Sequence, residues 1–207
     1  MDATSLLTGN RIVPVVVLAD AHAAVPVARA LLEGGIGIAE VTLRTTDALD
    51  GIRAIATQVP DMLVGAGSIR TGEQMIAAQN AGAVFCVSPG TSEFLLDAAE
   101  DLGMPFVPGA CTPSEAIRLL ERGYRLQKFF PAEQAGGAGF LKSLGGPLPE
   151  ISFMPTGGVT PENAGDYLRL ANVTCVGGSW ITPVNEQRAG NFDVITRLAG
   201  DSLRRNG

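Results

Sequence analysis

Residues 12–35, IVPVVVLADAHAAVPVARALLEGG, contain the unit from which the rest of the chain is built. The first eight of them are apolar and rich in valine, as is typical of a strand covered on both faces. An alanine- and leucine-rich segment follows and ends at a glycine pair, which predicts a helix and its C-terminal stop. A doubly wound dinucleotide-binding sheet usually has GxGxxG after its first strand, whereas residues 19–24 read ADAHAA. The stretch therefore predicts a strand–helix unit of a parallel sheet and disfavours that open sheet.

Comparable strand-like runs recur at intervals of roughly 20–26 residues and are followed by helical segments. They begin near Gly37, Met62, Ala83, Pro105, Arg125, Ile151 and Thr174. Helix starts are predicted where a hydroxyl residue precedes a glutamate, at Thr71, Ser92, Thr112 and Thr160. Eight such units close naturally into a barrel, and about 200 residues is the lower end for that fold. We therefore predict an α/β protein, a single (β/α)8 TIM barrel domain over residues 1–207 with an N-terminal lead-in at about residues 1–10.

The composition argues against several classes of protein. Apolar residues make up 46% of the chain and charged residues 17%, so much of the chain must be buried. The formal net charge of -6 disfavours a nucleic-acid partner, which requires a basic surface. No apolar run reaches the roughly 18–20 residues that span a membrane, and the start lacks the pattern of a signal peptide. We therefore expect no nucleic acid and no membrane as partners.

The cysteines and the histidine give no sign of a metal site. Cys86, Cys111 and Cys175 are dispersed, without CxxC or Cys–His spacing. This pattern indicates reduced thiols in the cytoplasm rather than a disulfide framework or a zinc site. The single histidine, His22, lies at the predicted start of the first helix and is interpreted as a residue without catalytic role. We therefore expect a cytoplasmic protein without a metal.

The second strand-like run places charged side chains where a barrel interior should be apolar. Glu40, Thr42 and Arg44 share one face by parity, and the alternating apolar residues share the other. Because the apolar set belongs under the helices, Glu40 and Arg44 are expected to face the interior. Burying either charge unpaired costs several kcal/mol, so the interior must hold a partner or a polar ligand. A structural Glu40–Arg44 pair that braces the barrel and a ligand site both remain open.

Lys128 has an unusual setting for a lysine. It is one of two lysines and lies in LQKFFP, among apolar and aromatic residues near the end of a predicted strand. Burial beside a cation such as Arg44 favours the neutral amine, the form that attacks a carbonyl to give an imine. The structural alternative is a lysine that extends to the barrel mouth or pairs with Glu133. The other lysine, Lys142, is expected to be solvated, and Gln127 would face the helices and need a hydrogen-bond partner there.

Two glycine-rich strand ends add a candidate anion site. The seventh run ends in PTGG, residues 155–158, and the eighth ends in GGSW, residues 177–180. In barrels, backbone N–H groups after strands seven and eight commonly bind phosphate, helped by a helix N-terminus. Glycines also serve tight turns, so this inference rests on analogy with other barrels.

These motifs together resemble a known family, 2-keto-3-deoxy-6-phosphogluconate (KDPG) aldolase, whose members often also act on 4-hydroxy-2-oxoglutarate (KHG). The similarity lies in six motifs that occur in the family's order: EVTLRT (40–45), VGAGS (64–68), SPG (88–90), KFFPAE (128–133), PTGG (155–158) and GGSW (177–180). It runs from about Ile12 to the C-terminus, and KFFPAE with EVTLRT is its most specific part. The resemblance implies a class I (Schiff-base) aldolase of the Entner–Doudoroff pathway.

The resemblance implies catalytic roles for matching positions. Lys128 would form the Schiff base with the substrate ketone, and Glu40 would act as general acid and base. Arg44 and Ser68 would hold the pyruvate carboxylate. The family usually has threonine where this chain has Ser68, so the hydroxyl is kept and a methyl group is lost, which would loosen carboxylate binding.

A substrate pocket and a phosphate site are implied in the same way. Thr156 would lie close to the substrate, and Pro89 and Phe130 would shape the pocket. The phosphate would be bound by Gly157, Gly158, Gly178 and Ser179. The ligand would be a small phosphorylated 2-keto acid, no cofactor or metal would be needed, and the family is generally trimeric.

The reaction so predicted is cleavage of KDPG to pyruvate and glyceraldehyde 3-phosphate, and of KHG to pyruvate and glyoxylate. Other functions fit part of the pattern. Another pyruvate-dependent class I aldolase, such as the phosphogalactonate type, would share the lysine. A sugar-phosphate isomerase or epimerase would share the glycines but would not need Lys128. A non-catalytic barrel that binds an anionic metabolite as a regulator would keep Arg44 and the glycines.

Overall fold

The computed structural model describes residues 3–206, in which parallel strands alternate with helices. The strands are β1 (Ile12–Val16), β2 (Ile38–Thr42), β3 (Leu63–Gly67), β4 (Cys86–Val87), β5 (Phe106–Val107), β6 (Gly109–Ala110), β7 (Leu126–Phe129), β8 (Ser152–Pro155) and β9 (Val176–Gly178). The helices are α1 (Ala3–Leu7), α2 (Ala24–Glu33), α3 (Ala48–Gln58), α4 (Gly72–Asn80), α5 (Glu93–Leu102), α6 (Pro113–Glu121), α7 (Gly137–Leu144), α8 (Ala164–Leu168), α9 (Val184–Ala189) and α10 (Phe192–Asn206). A short 3-10 helix, Ala21–Ala23, precedes α2.

The strands form a curled parallel sheet of six, in the order β5-β4-β3-β2-β1-β9, and a second group in the order β6-β7-β8. Neighbouring strands in both groups pair in parallel, for example β1 with β2 and β7 with β8. The two groups meet at a parallel bridge between Thr156, just after β8, and Gly177 in β9. The predicted α/β class with parallel strands is therefore confirmed.

The fifth predicted strand is divided in the structure. Pro108 separates β5 from β6, because proline has no N–H to donate to a neighbouring strand. The Pro108 carbonyl still accepts a hydrogen bond from the Lys128 N–H at 2.8 Å. Since β5 pairs with β4 and β6 pairs with β7, the chain changes its neighbour at this proline.

The buried apolar residues form one cluster that extends from Ala3 in α1 to Ala199 in α10. The strands β1 and β2 are buried along their whole length, as expected for strands covered on both faces. The predicted lead-in contains α1, whose Leu7 is fully buried, so this segment belongs to the core. Within residues 3–206, no helix is long and apolar enough to cross a membrane.

Three of the four predicted helix starts are confirmed. The side chains of Thr71, Ser92 and Thr112 cap α4, α5 and α6 by accepting a hydrogen bond from a backbone N–H. The prediction at Thr160 is wrong, because α8 begins four residues later. The Thr160 hydroxyl instead accepts from the N–H groups of Glu162 and Asn163, so it caps the turn that precedes α8.

Replacement of Thr112 by alanine is expected to destabilise the protein by about 0.5–2 kcal/mol. Thr112 and Glu115 form a reciprocal capping box, in which each side chain accepts from the other residue's N–H, at 3.3 and 2.8 Å. The free energy of unfolding in urea measures the loss, and Ser114→Ala in the same exposed turn is the control. Equal stabilities of the two variants would contradict the capping role.

Candidate active site

A buried ion pair lies inside the sheet, between Glu40 of β2 and Lys128 of β7. The Lys128 Nζ lies 3.0 Å from Oε1 and 3.4 Å from Oε2 of Glu40. The lysine is 3% exposed and the glutamate 0%. Strand register fixes Glu40, which pairs with Val15 of β1 and Gly65 of β3. The two side chains therefore point into the interior, Glu40 from the group of six strands and Lys128 from the group of three. A charge buried in such an interior requires a partner.

Neither structural alternative for these residues is found. The partner of Glu40 is Lys128 and not Arg44, so the two residues of the second strand do not form a brace. Glu133 does not pair with Lys128 either, because its carboxylate accepts a hydrogen bond from the Tyr167 hydroxyl. Of the two carboxylates, Glu40 and Glu133, the Lys128 amine therefore contacts Glu40.

Gly67 makes room for the Glu40 carboxylate, a requirement that the sequence did not reveal. A Cβ atom at this position would lie 2.1 Å from Oε1 of Glu40, so any side chain here would force the carboxylate to move. The thiols of Cys86 and Cys175 are also buried. Burial, and then the negative charge of Glu40, raise the pKa of Cys86 and that of Cys175 to about 12. These cysteines are therefore neutral near pH 7 and unsuited to nucleophilic attack.

Arg44 lies beyond the end of its strand, and the burial predicted for it is wrong. β2 ends at Thr42, and the Arg44 N–H donates to the Thr42 carbonyl at 2.8 Å, so strand parity no longer applies. The side chain is exposed, and its Nε donates to Ser68 Oγ at 3.1 Å. Ser68 follows β3 with a φ of 60°, in the left-handed region that residues other than glycine rarely adopt. The charged group in contact with Lys128 is the Glu40 carboxylate.

Phe130 and Pro89 lie at the ends of β7 and β4. The Lys128 Nζ is 5.6 Å from the centre of the Phe130 ring, within range of a cation–π interaction. A Cβ atom at Gly109 would lie 2.4 Å from the carbonyl carbon of Pro89, so the two segments are in close contact. The buried Ser88 hydroxyl accepts the Gly109 N–H at 3.1 Å and holds this contact.

Thr156 and the predicted phosphate-binding glycines lie where β8 and β9 end. Thr156 is 6% exposed, and its hydroxyl would be 2.2 Å from a Cβ atom at Gly177. Gly157 and Gly158 have φ values of 96° and 78°, which favour glycine. The Gly157 carbonyl accepts from the Glu133 N–H at 3.1 Å. The bridge between Thr156 and Gly177 brings the two glycine-rich segments side by side.

At the end of β9, Ser179 is exposed and Gly178 is buried. The predicted site residues after β8 and β9 are therefore neighbours, whereas Glu40 and Lys128 lie deeper, within the strands. This separation suits a ligand whose reactive carbon and anionic group lie at opposite ends.

The remaining polar residues of the sequence analysis lie outside this region. The Gln127 Nε2 donates to the carbonyls of Ala116 and Tyr124, both at 2.9 Å, which supplies the partners it needs among the helices. Its Oε1 has no hydrogen-bond partner within residues 3–206. His22 and Lys142 are exposed. Over the same residues, no three His, Cys, Asp or Glu side chains are grouped as metal ligands would be.

A lysine amine beside a carboxylate, both buried in a parallel α/β sheet, is suited to nucleophilic attack on a carbonyl. The model of the KDPG and KHG aldolase family matches residues 3–198, and the chain belongs to this family. It is similar to a 2-dehydro-3-deoxy-phosphogluconate aldolase of Pseudoalteromonas atlantica, with 50% identity over 93% of this chain and 89% of that protein. It is 45% identical to a KHG/KDPG aldolase of Escherichia coli, over 97% of this chain and 94% of that protein.

A solved structure of the KDPG aldolase of Legionella pneumophila is also similar, with a TM-score of 0.94 and 40% identity over 97% of each chain. In that structure, pyruvate is captured at low pH as a covalent carbinolamine intermediate.

Proposed function

We propose that this protein is a class I (Schiff-base) aldolase that cleaves KDPG to pyruvate and glyceraldehyde 3-phosphate, and KHG to pyruvate and glyoxylate. The observation that carries the proposal is the 3.0 Å contact between the Lys128 Nζ and Glu40 in the interior. A nucleophilic amine and a carboxylate within hydrogen-bond reach are the two groups that the reaction requires. Membership of the KDPG and KHG aldolase family supports the choice of substrates.

The reaction begins with proton transfer from Lys128 to Glu40, which leaves a neutral amine. The amine adds to the C2 carbonyl of the substrate and forms a carbinolamine. Glu40 returns its proton to the carbinolamine hydroxyl, which leaves as water and gives a protonated imine. The imine nitrogen can now accept an electron pair.

Cleavage follows when the C4 hydroxyl gives its proton to Glu40. The C3–C4 bond breaks, its electron pair moves to the imine nitrogen, and the aldehyde leaves an enamine on Lys128. Glu40 then protonates the enamine at C3, and hydrolysis of the imine releases pyruvate and the free amine. A positioned carboxylate that transfers these protons contributes about 10²–10⁴-fold to the rate.

The groups at the strand ends would bind the two ends of the substrate. Arg44 and Ser68, joined by a 3.1 Å hydrogen bond, offer a guanidinium and a hydroxyl to the pyruvate carboxylate. Thr156 directly follows β8 and precedes Gly157, and it is assigned to the substrate chain.

Pro89 and Phe130 form the walls of the pocket in this proposal, because they follow β4 and β7 at the same edge of the sheet as the amine. The phosphate would lie between the two glycine-rich segments, bound by Gly157, Gly158, Gly178 and Ser179. Backbone N–H groups and one hydroxyl are sufficient donors for such a site.

We also propose that β5 and β6 act as one strand, so that eight strands close into a (β/α)8 barrel across the Thr156–Gly177 bridge. In this proposal the chain is a single barrel domain and assembles as a homotrimer, as the resembled family generally does. A cytoplasmic location is supported by the free state of Cys86, Cys111 and Cys175.

Assay of the purified protein on KDPG and on KHG, with pyruvate as the measured product, tests the proposed function directly. Cleavage of both substrates is expected. Cleavage of the C4 epimer of KDPG alone would favour the phosphogalactonate type of aldolase. Absence of pyruvate from every substrate would favour the isomerase, epimerase or regulator.

Replacement of Gly178 by alanine is expected to lower kcat/KM for KDPG by roughly 10–100-fold. This is the effect expected from the loss of about one hydrogen bond to the charged phosphate. The added Cβ would lie 2.1 Å from the Trp180 ring, so backbone and indole must move apart and the approach to phosphate is disturbed. KHG has no phosphate, and its cleavage should change much less. Gly146→Ala, at a glycine with open space around it, is the control. Equal losses on both substrates in a folded variant would place the phosphate elsewhere.

A further inference from the structure

Trp180, the only tryptophan in the sequence, lies against the candidate phosphate site. The six-membered ring of its indole occupies the side of Gly178 on which a side chain would stand. A Cβ atom there would be 2.1 Å from Cζ3, 2.5 Å from Cη2 and 2.7 Å from Cε3 of the ring. The ring therefore forms a wall that limits where the Gly178 backbone can lie.

A hydrogen bond from the C-terminal helix fixes the orientation of this ring. The indole Nε1 donates to Ser202 Oγ in α10 at 3.0 Å. The Ser202 hydroxyl donates in turn to the Leu198 carbonyl at 2.7 Å, so its oxygen is presented to Trp180 as an acceptor. Ser202 is 4% exposed, which protects this bond from competition by water.

The core holds α10 itself in place. Ile195 and Ala199 are fully buried and, with Ser202, follow the i, i+4, i+7 spacing of one helix face. A Cβ atom at Gly34, after α2, would be 2.5 Å from the Ala199 Cβ, so the two helices are in close contact. The position of Ser202 is thus set by packing that lies outside the candidate active site.

We propose that Trp180 is a positioning residue for the phosphate end of the substrate, and that Ser202 holds it in the orientation that aligns the backbone at Gly178. The inference rests on the proposed aldolase function. It extends that function, because it makes the affinity for phosphorylated substrates depend on the hydrogen bond between Trp180 and Ser202 of α10. Neither side chain takes part in the chemistry. Loss of the hydrogen bond should allow the indole to rotate and the N–H groups after β9 to lose their alignment.

The test compares Ser202→Ala with Ser143→Ala. Both serines donate to the carbonyl four residues earlier, at 2.7 and 3.0 Å, but only Ser202 also accepts from Trp180. Loss of one neutral hydrogen bond predicts a rise of roughly 3- to 10-fold in KM for KDPG in Ser202→Ala. KM for KHG, and kcat for both substrates, should change by less than about twofold by the same reasoning. Ser143→Ala should match the wild type throughout.

Titration with inorganic phosphate, followed by the fluorescence of Trp180, gives a second measurement without turnover. We expect phosphate to change the emission of the wild type and to bind Ser202→Ala more weakly by the same factor. Trp180→Phe keeps an aromatic ring but lacks the N–H, so it should show the same difference in KM between KDPG and KHG. This variant replaces Ser202→Ala in the test if Ser202→Ala does not fold. Equal rises in KM for both substrates with a lower melting temperature would assign a purely structural role and overturn the proposal.

Two further outcomes would separate this proposal from the proposed function. A wild type that cleaves KDPG while phosphate leaves its Trp180 emission unchanged would overturn the positioning role and leave the aldolase assignment intact. A wild type that cleaves neither KDPG nor KHG would overturn the aldolase assignment, and this inference with it.

Discussion

Incubation with pyruvate and sodium borohydride is expected to inactivate this protein irreversibly and to leave one reduced adduct, on Lys128. Pyruvate forms an imine with the amine, and hydride reduction of that imine gives a secondary amine that water cannot hydrolyse. The Glu40 carboxylate lies 3.0 Å from the Lys128 Nζ. It can therefore accept the proton that the amine must lose before it attacks pyruvate. Mass spectrometry of the whole chain, and then of its peptides, measures the adduct.

The second lysine supplies the control for this experiment. Lys142 is exposed on α7, so Lys142→Met should be trapped and inactivated like the wild type, whereas Lys128→Met should take up no adduct and show no cleavage. Lys128→Met leaves the Glu40 carboxylate buried without its counter-ion, which destabilises a protein. The double variant Lys128→Met/Glu40→Gln removes both charges and serves as the folded reference. An adduct on Lys142, or on no lysine, would refute the assignment of the nucleophile.

A chelator distinguishes this mechanism from one that uses a metal. The amine and one carboxylate account for every proton and electron pair of the proposed steps. Treatment with a chelator should therefore leave cleavage of KDPG unchanged. Loss of activity that a divalent metal restores would point to a metal-dependent aldolase instead.

Strand parity located the interior residues because it holds within a strand. Glu40 lies in the middle of β2 and Lys128 within β7, so alternation alone places both side chains inward. The same rule could not place Arg44, which lies two residues past the end of β2 and is exposed, because a turn follows Thr42. Strand parity also did not predict the division between β5 and β6. At Pro108 the neighbouring strand changes from β4 to β7.

Contacts between distant segments could not be predicted from a pattern. The need for glycine at position 67 arises only because the Glu40 carboxylate of the neighbouring strand occupies the space. The hydrogen bond of Trp180 with Ser202 joins two residues that are 22 positions apart and lie on separate elements. Periodicity describes which face of an element is buried, whereas these contacts depend on how the elements pack.

Glu40→Gln is expected to lower cleavage of KDPG by roughly 10²–10⁴-fold while leaving capture of pyruvate by borohydride largely intact. Glutamine keeps the volume and the hydrogen-bonding oxygen of the side chain but cannot accept a proton. Solvent water can replace Glu40 in the proton transfers of imine formation, and capture needs only one imine per chain over the whole incubation, so it slows but still goes to completion. The two steps should therefore separate: the imine forms, and proton transfer at C4 and C3 fails.

Exchange of the pyruvate methyl protons with deuterium, followed by NMR, measures the C3 proton transfer alone. We expect this exchange to slow in Glu40→Gln by about the same factor as cleavage, since one carboxylate serves both transfers. Glu133→Gln is the matched control, because Glu133 is an exposed glutamate bonded to Tyr167 and lies outside the proposed proton path. Wild-type exchange in Glu40→Gln would assign proton transfer to another group. Slow exchange together with loss of borohydride capture would mean that water cannot replace Glu40 in the first step, the attack by the amine.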